Sequence, residues 1–240
     1  PVLLARDMDK QSIREQVWDD LEASGEARFP FPPHGRIPNF AGADAAANRL
    51  ADQPAFRDAE VVKINPDSPQ RPVRRLALEA GKTLYMAVPR LADEACFLEL
   101  DPERIDDVDA ATTISGASDA GVQVPPDDVA PVDLVVSGSV AVTESGARIG
   151  KGEGYSDLEF AVLRELGLVD GDTPVATTVH ERQVLDEGPA TDPHDVPMDL
   201  VVTPERTLRP DPEPKPAGID WDVLSEERIE EIPVLDRFRD

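Results

Sequence analysis

The sequence predicts an α/β fold: an open, mainly parallel sheet flanked by helices. Three observations carry that reading. Short, mainly apolar runs recur at residues 61–64, 83–88, 134–136, 173–179 and 199–203, the texture of strands buried in a parallel sheet. Stretches with helical spacing alternate with these runs, as connections between parallel strands require. The 24 prolines among 240 residues, roughly twice the usual ~5% share, mark loops and a tail. With 40% hydrophobic residues the chain still suffices for one generous domain.

The elements follow in order. Ile13, Val17 and Leu21 recur every fourth residue beside Trp18, with charges on the other face, which predicts a helix over 9–23 stopped near Gly25. Residues 29–38 cannot form a regular helix, because their prolines lack donors and clash with earlier carbonyls. Helices are expected over 43–51, around Phe56 and over 72–80, the last ending near Gly81. A strand over 61–64 precedes that last helix, and strands over 83–88 and 96–100 follow it. After residues 134–136, a glycine-rich loop leads into a helix over 157–166. A strand over 173–179 follows, and 199–203 reads as the last clear strand. No internal repeat is present. From 209 to 216 proline alternates with charge, a stiff extended linker, and 225–232 suits a short helix. The expected organisation is one α/β domain over 8–208 with a proline-rich acidic tail over 209–240, docked or loose.

Charge narrows the function. The formal net charge is −25, and only five of the 24 cations are lysine. Such a surface argues against nucleic-acid binding, which needs cations to displace counterions from phosphates, and against anionic membranes. The single cysteine, Cys96, excludes a disulfide scaffold or a cysteine-rich zinc site. No run approaches the roughly 18 apolar residues of a membrane span. Residues 1–5 are too short for a secretory apolar segment and lack a basic flank. A cytoplasmic monomer is the expectation. Carboxylates along the whole chain, with arginine largely replacing lysine, suggest a halophilic, high-salt cytoplasm in which screening cancels self-repulsion; an acidic mesophilic protein is the alternative.

The most informative stretch is GARIGKGEGYSD, residues 146–157. Gly150, Gly152 and Gly154 permit positive φ and close approach of backbone amides to a ligand. Arg148 and Lys151 place two cations beside them, and a helix N-terminus follows, so the stretch reads as a phosphate cradle. It matches neither G-x-x-x-x-G-K-[ST] nor G-x-G-x-x-G. A structural alternative stands beside this: Ser156 and Glu159 fit a capping box, and Asp157 complements the helix dipole. Lys10 and Arg14 share one helical face, as phosphate contacts or as a salt-bridged surface. His194-Asp195 reads as a turn capped by Asp195 or as a magnesium carboxylate. No zinc spacing joins the three histidines, and no nucleophile elbow occurs.

Residues 148–157 resemble the signature R-x-G-x-G-x-G-Y-Y-D of the 5-formyltetrahydrofolate cyclo-ligase, or methenyltetrahydrofolate synthetase, family. Lys10-Gln-Ser-Ile-Arg14 is similar to that family's opening K-x-x-x-R helix, and HDVPMDLVVT at 194–203 to its closing H-D-x-x-x-D-x-V-x-T segment. The segments 12–18, 36–40, 135–141 with 148–159, and KPAGIDW at 215–221 resemble the subgroup of methenyltetrahydrofolate synthetase domain-containing proteins. The resemblance covers about residues 8–222.

It implies an open α/β sheet like that of sugar-phosphate isomerases and CoA transferases. It also implies an ATP- and magnesium-dependent ligase of one-carbon metabolism, converting 5-formyltetrahydrofolate to 5,10-methenyltetrahydrofolate through a phosphorylated formyl intermediate. Carried over by position, Lys10, Arg14, Arg148, Ile149, Gly150, Lys151, Gly152, Glu153, Gly154, Tyr155 and Ser156 would bind ATP. Lys151, Tyr155 and Arg148 would stand nearest the chemistry. Arg14, Asp67, Lys151 and Tyr155 would contact the folate, and Asp157 and Asp195 the metal. Two departures are visible: Ser156 replaces the signature's second tyrosine, and the family's E-x-x-T motif has no clean match, Asp67 and Gln70 standing at its spacing. A non-catalytic nucleotide- or folate-binding module of the same fold is the alternative.

Overall fold

The computed structural model describes residues 8–239. Helix α1 (Lys10–Ala23) begins where the Asp9 carboxylate accepts the Ser12 amide at 2.9 Å, and it buries Ile13, Val17, Trp18 and Leu21. Strands β1 (Ala27–Arg28) and β2 (Asn39–Phe40) pair across the proline-rich loop. Then come α2 (Ala43–Ala51), α3 (Pro54–Arg57), β3 (Val61–Ile64), α4 (Arg71–Glu79), β4 (Thr83–Ala87) and β5 (Phe97–Leu100). Helices α5 (Val108–Ala111) and α6 (Ile114–Ala120) and strand β6 (Val122–Val124) fill a stretch in which no element was expected. They are too short for periodicity to show, and the caps Asp107 and Thr113 start the two helices. The remaining elements are β7 (Leu134–Val136), β8 (Ala141–Thr143), β9 (Arg148–Ile149), α7 (Tyr155–Glu165), β10 (Val175–Thr178), β11 (Val184–Leu185), β12 (Leu200–Val202), β13 (Thr207–Leu208) and α8 (Glu226–Glu230).

The main sheet has the order β13-β12-β10-β7-β3-β4-β5-β6. Its five central strands, β12, β10, β7, β3 and β4, are parallel, the expected open α/β arrangement. At the edges β13 pairs antiparallel with β12, β5 antiparallel with β4, and β6 antiparallel with β5. Residues 199–203 are therefore not the last strand, since the chain turns at Thr203 and returns as β13. A second small sheet, β11-β8-β9, carries the approach to the glycine loop.

Helices on both faces close two apolar layers. Leu50, Val73, Ala77 and Leu78 from α2 and α4 cover one face, and Phe160, Val162 and Leu163 of α7 the other. That second layer answers the question of the tail. Ile229, Ile232, Val234 and Leu235 are buried in it, and Lys215 pairs with Asp199 at 2.9 Å. The tail docks. No helix among the described residues is long and apolar enough to cross a membrane.

Candidate active site

Ligands of open α/β sheets sit beyond the carboxyl ends of the parallel strands. There, past Ile64, Ala87 and Val136, lies a cavity of about 720 Å³. Its walls include Lys10, Arg14, Asp67, Asp195 and all of residues 148–157. Every position singled out from the sequence thus faces one space, although α1 and Asp195 lie far apart in the chain.

The glycine loop joins β9 to α7. Gly152 (φ +105°) and Gly154 (φ +70°) take the left-handed conformation, whereas Gly150 does not. Gly150 matters for proximity instead: a Cβ there would lie 2.9 Å from Arg148 Nη1. Gly154 is the N-cap of α7, and no side chain caps this helix. The capping-box reading of Ser156 and Glu159 is therefore wrong. Both lie inside the helix and turn toward the sheet, because α7 begins two residues earlier than the sequence suggested. Its first amides are left free beside the cavity, a ready anion site.

Cations surround that terminus. Arg14 donates from Nε to the Gly150 carbonyl at 2.6 Å and so fastens α1 to the loop. Burial, followed by repulsion from Arg148, lowers its pKa. Lys151 extends from the loop, half-exposed, and pairs with Glu153 at 2.8 Å. Lys10 bridges Asp192 and Asp195 at 2.7 Å each. Burial opposes its charge, but the two carboxylates outweigh burial and raise its pKa.

Arg148 is buried differently. Its Nη2 lies 2.5 Å from Asp157 Oδ2 and its Nη1 donates to the Gly138 carbonyl at 2.9 Å. Burial disfavours the ion, yet the Asp157 carboxylate more than compensates and raises its pKa. Asp157 Oδ1 accepts the Val196 amide at 3.0 Å. The carboxylate expected to hold metal therefore has both oxygens committed to protein. Asp195 instead groups with Asp192 and His194, their ligand atoms within 4.8 Å of one another. Tyr155 lies under the Arg228 guanidinium, 4.0 Å from its ring centre.

Several neighbours escaped the sequence reading. Lys63, fully buried in β3, is held between Glu159 and the Asn65 amide oxygen. Asn65 in turn donates to Ser156 Oγ at 3.1 Å, and Ser156 reaches Ser137 at 3.3 Å. This chain ties the first turns of α7 to the sheet. A lysine inside an apolar strand, in a chain with only five, was the available signal. Arg74, buried and with its pKa pushed down by burial to about 10, holds the loop after β3 by donating to the Asn65 and Asp67 carbonyls. Burial raises the pKa of Asp67, against the pull of Lys151, Arg74 and Lys63. A Cβ at Gly138 would meet Asp67 Oδ2 at 2.9 Å and Gln70 Oε1 at 3.0 Å, so glycine there makes room for both side chains, of which Asp67 lines the cavity and Gln70 is buried against Thr178.

Comparison with known proteins places these features in a family context. Residues 6–204 match the 5-formyltetrahydrofolate cyclo-ligase family. The chain is 45% identical over 238 residues to the mouse methenyltetrahydrofolate synthase domain-containing protein, covering 97% of this chain and 64% of that one. To the human protein of the same name it is 41% identical over 237 residues, with 97% and 62% covered. The chain thus spans less than two thirds of these relatives. A 5-formyltetrahydrofolate cyclo-ligase of Mycolicibacterium smegmatis shares 34% identity over 98 residues, covering 38% of this chain and 47% of that one. Among solved structures, the Aquifex aeolicus 5,10-methenyltetrahydrofolate synthetase superposes with a TM-score of 0.53 at 20% identity, covering 84% of this chain and 93% of that one. That likeness bears on the fold.

Proposed function

The chain belongs to the 5-formyltetrahydrofolate cyclo-ligase family, and from that premise we propose that it converts 5-formyltetrahydrofolate to 5,10-methenyltetrahydrofolate with ATP and a divalent cation. One observation carries the reading. The uncapped start of α7, the glycine loop, Arg14 and Lys151 converge on a cavity whose far wall is apolar, at Met86, Val88, Leu98 and Ile114.

The chemistry asks for this arrangement. The formyl oxygen is a poor leaving group until it bonds to the γ-phosphorus of ATP and ADP departs. N10 then attacks the activated carbon and loses its proton, and phosphate leaves with the oxygen. Phosphoryl transfer depends on positioning and charge neutralisation rather than on a covalent catalyst. Loop amides and Lys151 hold the phosphates, while Arg14 reaches the same loop and adds charge. Tyr155 borders the reacting groups. Arg148 acts with Asp157 to keep the loop in shape. Asp67 stands on the cavity wall to meet the polar edge of the pterin, with Gln70 buried behind it.

Magnesium prefers carboxylate oxygens and retains several waters. Asp195, which takes Lys10 and the Asp192 amide on Oδ2 alone, keeps Oδ1 for a cation at the cavity wall, whereas each oxygen of Asp157 already accepts from a protein donor. A cation held at Asp195 would neutralise phosphate charge.

The test is direct. Protein mixed with ATP, magnesium and 5-formyltetrahydrofolate is expected to produce methenyl absorbance, and Lys151→Ala to reduce the rate by about 10²–10³, the usual effect of removing one charge-stabilising donor. A folded protein that binds ATP but generates no absorbance overturns catalysis and leaves the non-catalytic module.

A further inference from the structure

The glycine loop is held by its carbonyls. Where a peptide turns its N–H toward a ligand, its C=O points the other way, and that oxygen needs a donor of its own. Two loop carbonyls, those of Gly150 and Glu153, accept no backbone amide among the described residues. Each accepts from an arginine instead. Arg14 of α1 donates to Gly150, and Arg228 of α8 donates to Glu153. The loop is thus gripped at both of its ends, by side chains from opposite ends of the sequence.

Arg228 also covers a ring. Its guanidinium lies over Tyr155, 4.0 Å from the ring centre. Tyr155 is part of the wall of the principal cavity and Arg228 is not, so the arginine meets the ring from outside that cavity. Its own place is well fixed. The Arg228 amide donates to Ser225 Oγ, the N-cap of α8, at 3.1 Å, and the next residue, Ile229, is buried in the apolar layer. The Ile219 amide, bonded to Glu165 of α7 at 2.9 Å, fastens the approach to α8. Arg228 lies beyond residue 204, where the family match ends.

We infer that Arg228 is a positioning residue for the proposed reaction, one that the C-terminal segment supplies to fix the glycine loop and the Tyr155 ring before a ligand arrives. The inference rests on that reaction. Donors that are already aimed leave no reorganisation to the moment of phosphoryl transfer. A loop with Gly152 and Gly154 in the left-handed region has many competing conformations, because glycine carries no Cβ to exclude them. Arg228 removes these alternatives by joining Glu153 and Tyr155, the residues on either side of Gly154, to one rigid group. The planar guanidinium suits the task, since its edge donates to the carbonyl while its face lies on the ring. An ammonium offers no such pair of surfaces.

Trypsin reads the loop without needing turnover, because Lys151 is half-exposed within it. Arg228→Ala is expected to speed cleavage after Lys151 about tenfold, the scale of one charge-assisted hydrogen bond and one cation–π contact together. Arg228→Lys falls between parent and alanine, and Tyr155→Leu adds nothing once residue 228 is alanine. The urea midpoint of Arg228→Ala stays near that of the parent, since Ile229, Ile232, Val234 and Leu235 still anchor the tail. In the methenyl assay Arg228→Ala lowers kcat by about tenfold and changes the KM for 5-formyltetrahydrofolate by less than about twofold, the split expected when positioning rather than substrate binding is lost. Unchanged cleavage after Lys151, or faster cleavage matched by a fall in the urea midpoint, overturns the inference. So does unaltered turnover in a variant whose loop has loosened. A parent protein without turnover overturns the proposed function and the positioning role with it, whatever the cleavage rates.

Discussion

Arg148 and Asp157 close the glycine loop on itself. Nine residues apart, one in the last strand before the loop and the other in the first turn of α7, they meet at 2.5 Å with both side chains largely buried. The Gly138 carbonyl and the Val196 amide complete their bonding, so the pair also ties the loop to the turn after β7 and to the approach to β12.

Removing one partner leaves a buried ion without compensation. Asp157→Ala is expected to lower the stability of ligand-free protein by about 3–5 kcal/mol, read from urea midpoints. Asp195→Asn, which keeps an oxygen acceptor for Lys10 and the Asp192 amide, is expected to lower that midpoint much less and to raise the magnesium concentration needed for turnover. An unchanged midpoint in Asp157→Ala, with altered magnesium demand, would return Asp157 to the role of metal ligand.

Lys63 and Glu159 give a second test of buried charge. Either Lys63→Met or Glu159→Leu alone is expected to cost about 3–5 kcal/mol, since the other charge stays in the apolar layer. The double variant should lose much less than the sum of the two, because no ion remains unpaired. Additive losses in the urea midpoints would show that the two side chains do not depend on each other.

Asp67 determines a pH dependence. Burial raises its pKa in the folded protein above the ordinary value of 3.8. Between those two values the folded state holds the proton that the unfolded state has released. The unfolded state then binds fewer protons, so stability falls as pH rises through this window. Asp67→Asn is expected to flatten that part of the stability–pH curve and to be more stable than the parent above it. A curve unchanged by the substitution would dismiss Asp67 as the group responsible.

Cys96 offers a probe of global opening. It is fully buried, and burial pushes its thiol to about 12, so almost no thiolate exists near neutrality. Iodoacetamide at pH 8 is expected to label the protein only as it unfolds, at a rate that rises with urea. Labelling of native protein faster than unfolding would contradict the burial.

Much of the fold was legible because the informative elements are either long or buried on both sides. The apolar stripe of α1 and the buried runs of β3, β4, β7, β10 and β12 each became the element expected. The stretch from 101 to 133 was illegible for the opposite reason. Helices of four and seven residues show too little periodicity, capping side chains start them, and the three-residue edge strand is mostly exposed and so carries no apolar run. The short strands of the β11-β8-β9 sheet were missed likewise.

Local chemistry alone marked residues 148–157 as a candidate anion site, since glycine spacing, cations and a helix start are properties of neighbouring residues. The partners of those residues belong to the folded chain. That Arg148 spends its charge on Asp157, that Lys10 lies between Asp192 and Asp195, and that Arg228 from the tail covers Tyr155 are consequences of segments brought together by burial of their apolar sides. Hydrophobic burial is non-directional, so pattern shows which residues go inside without showing which charges then face each other. Sheet order and the docking of the tail made those pairings.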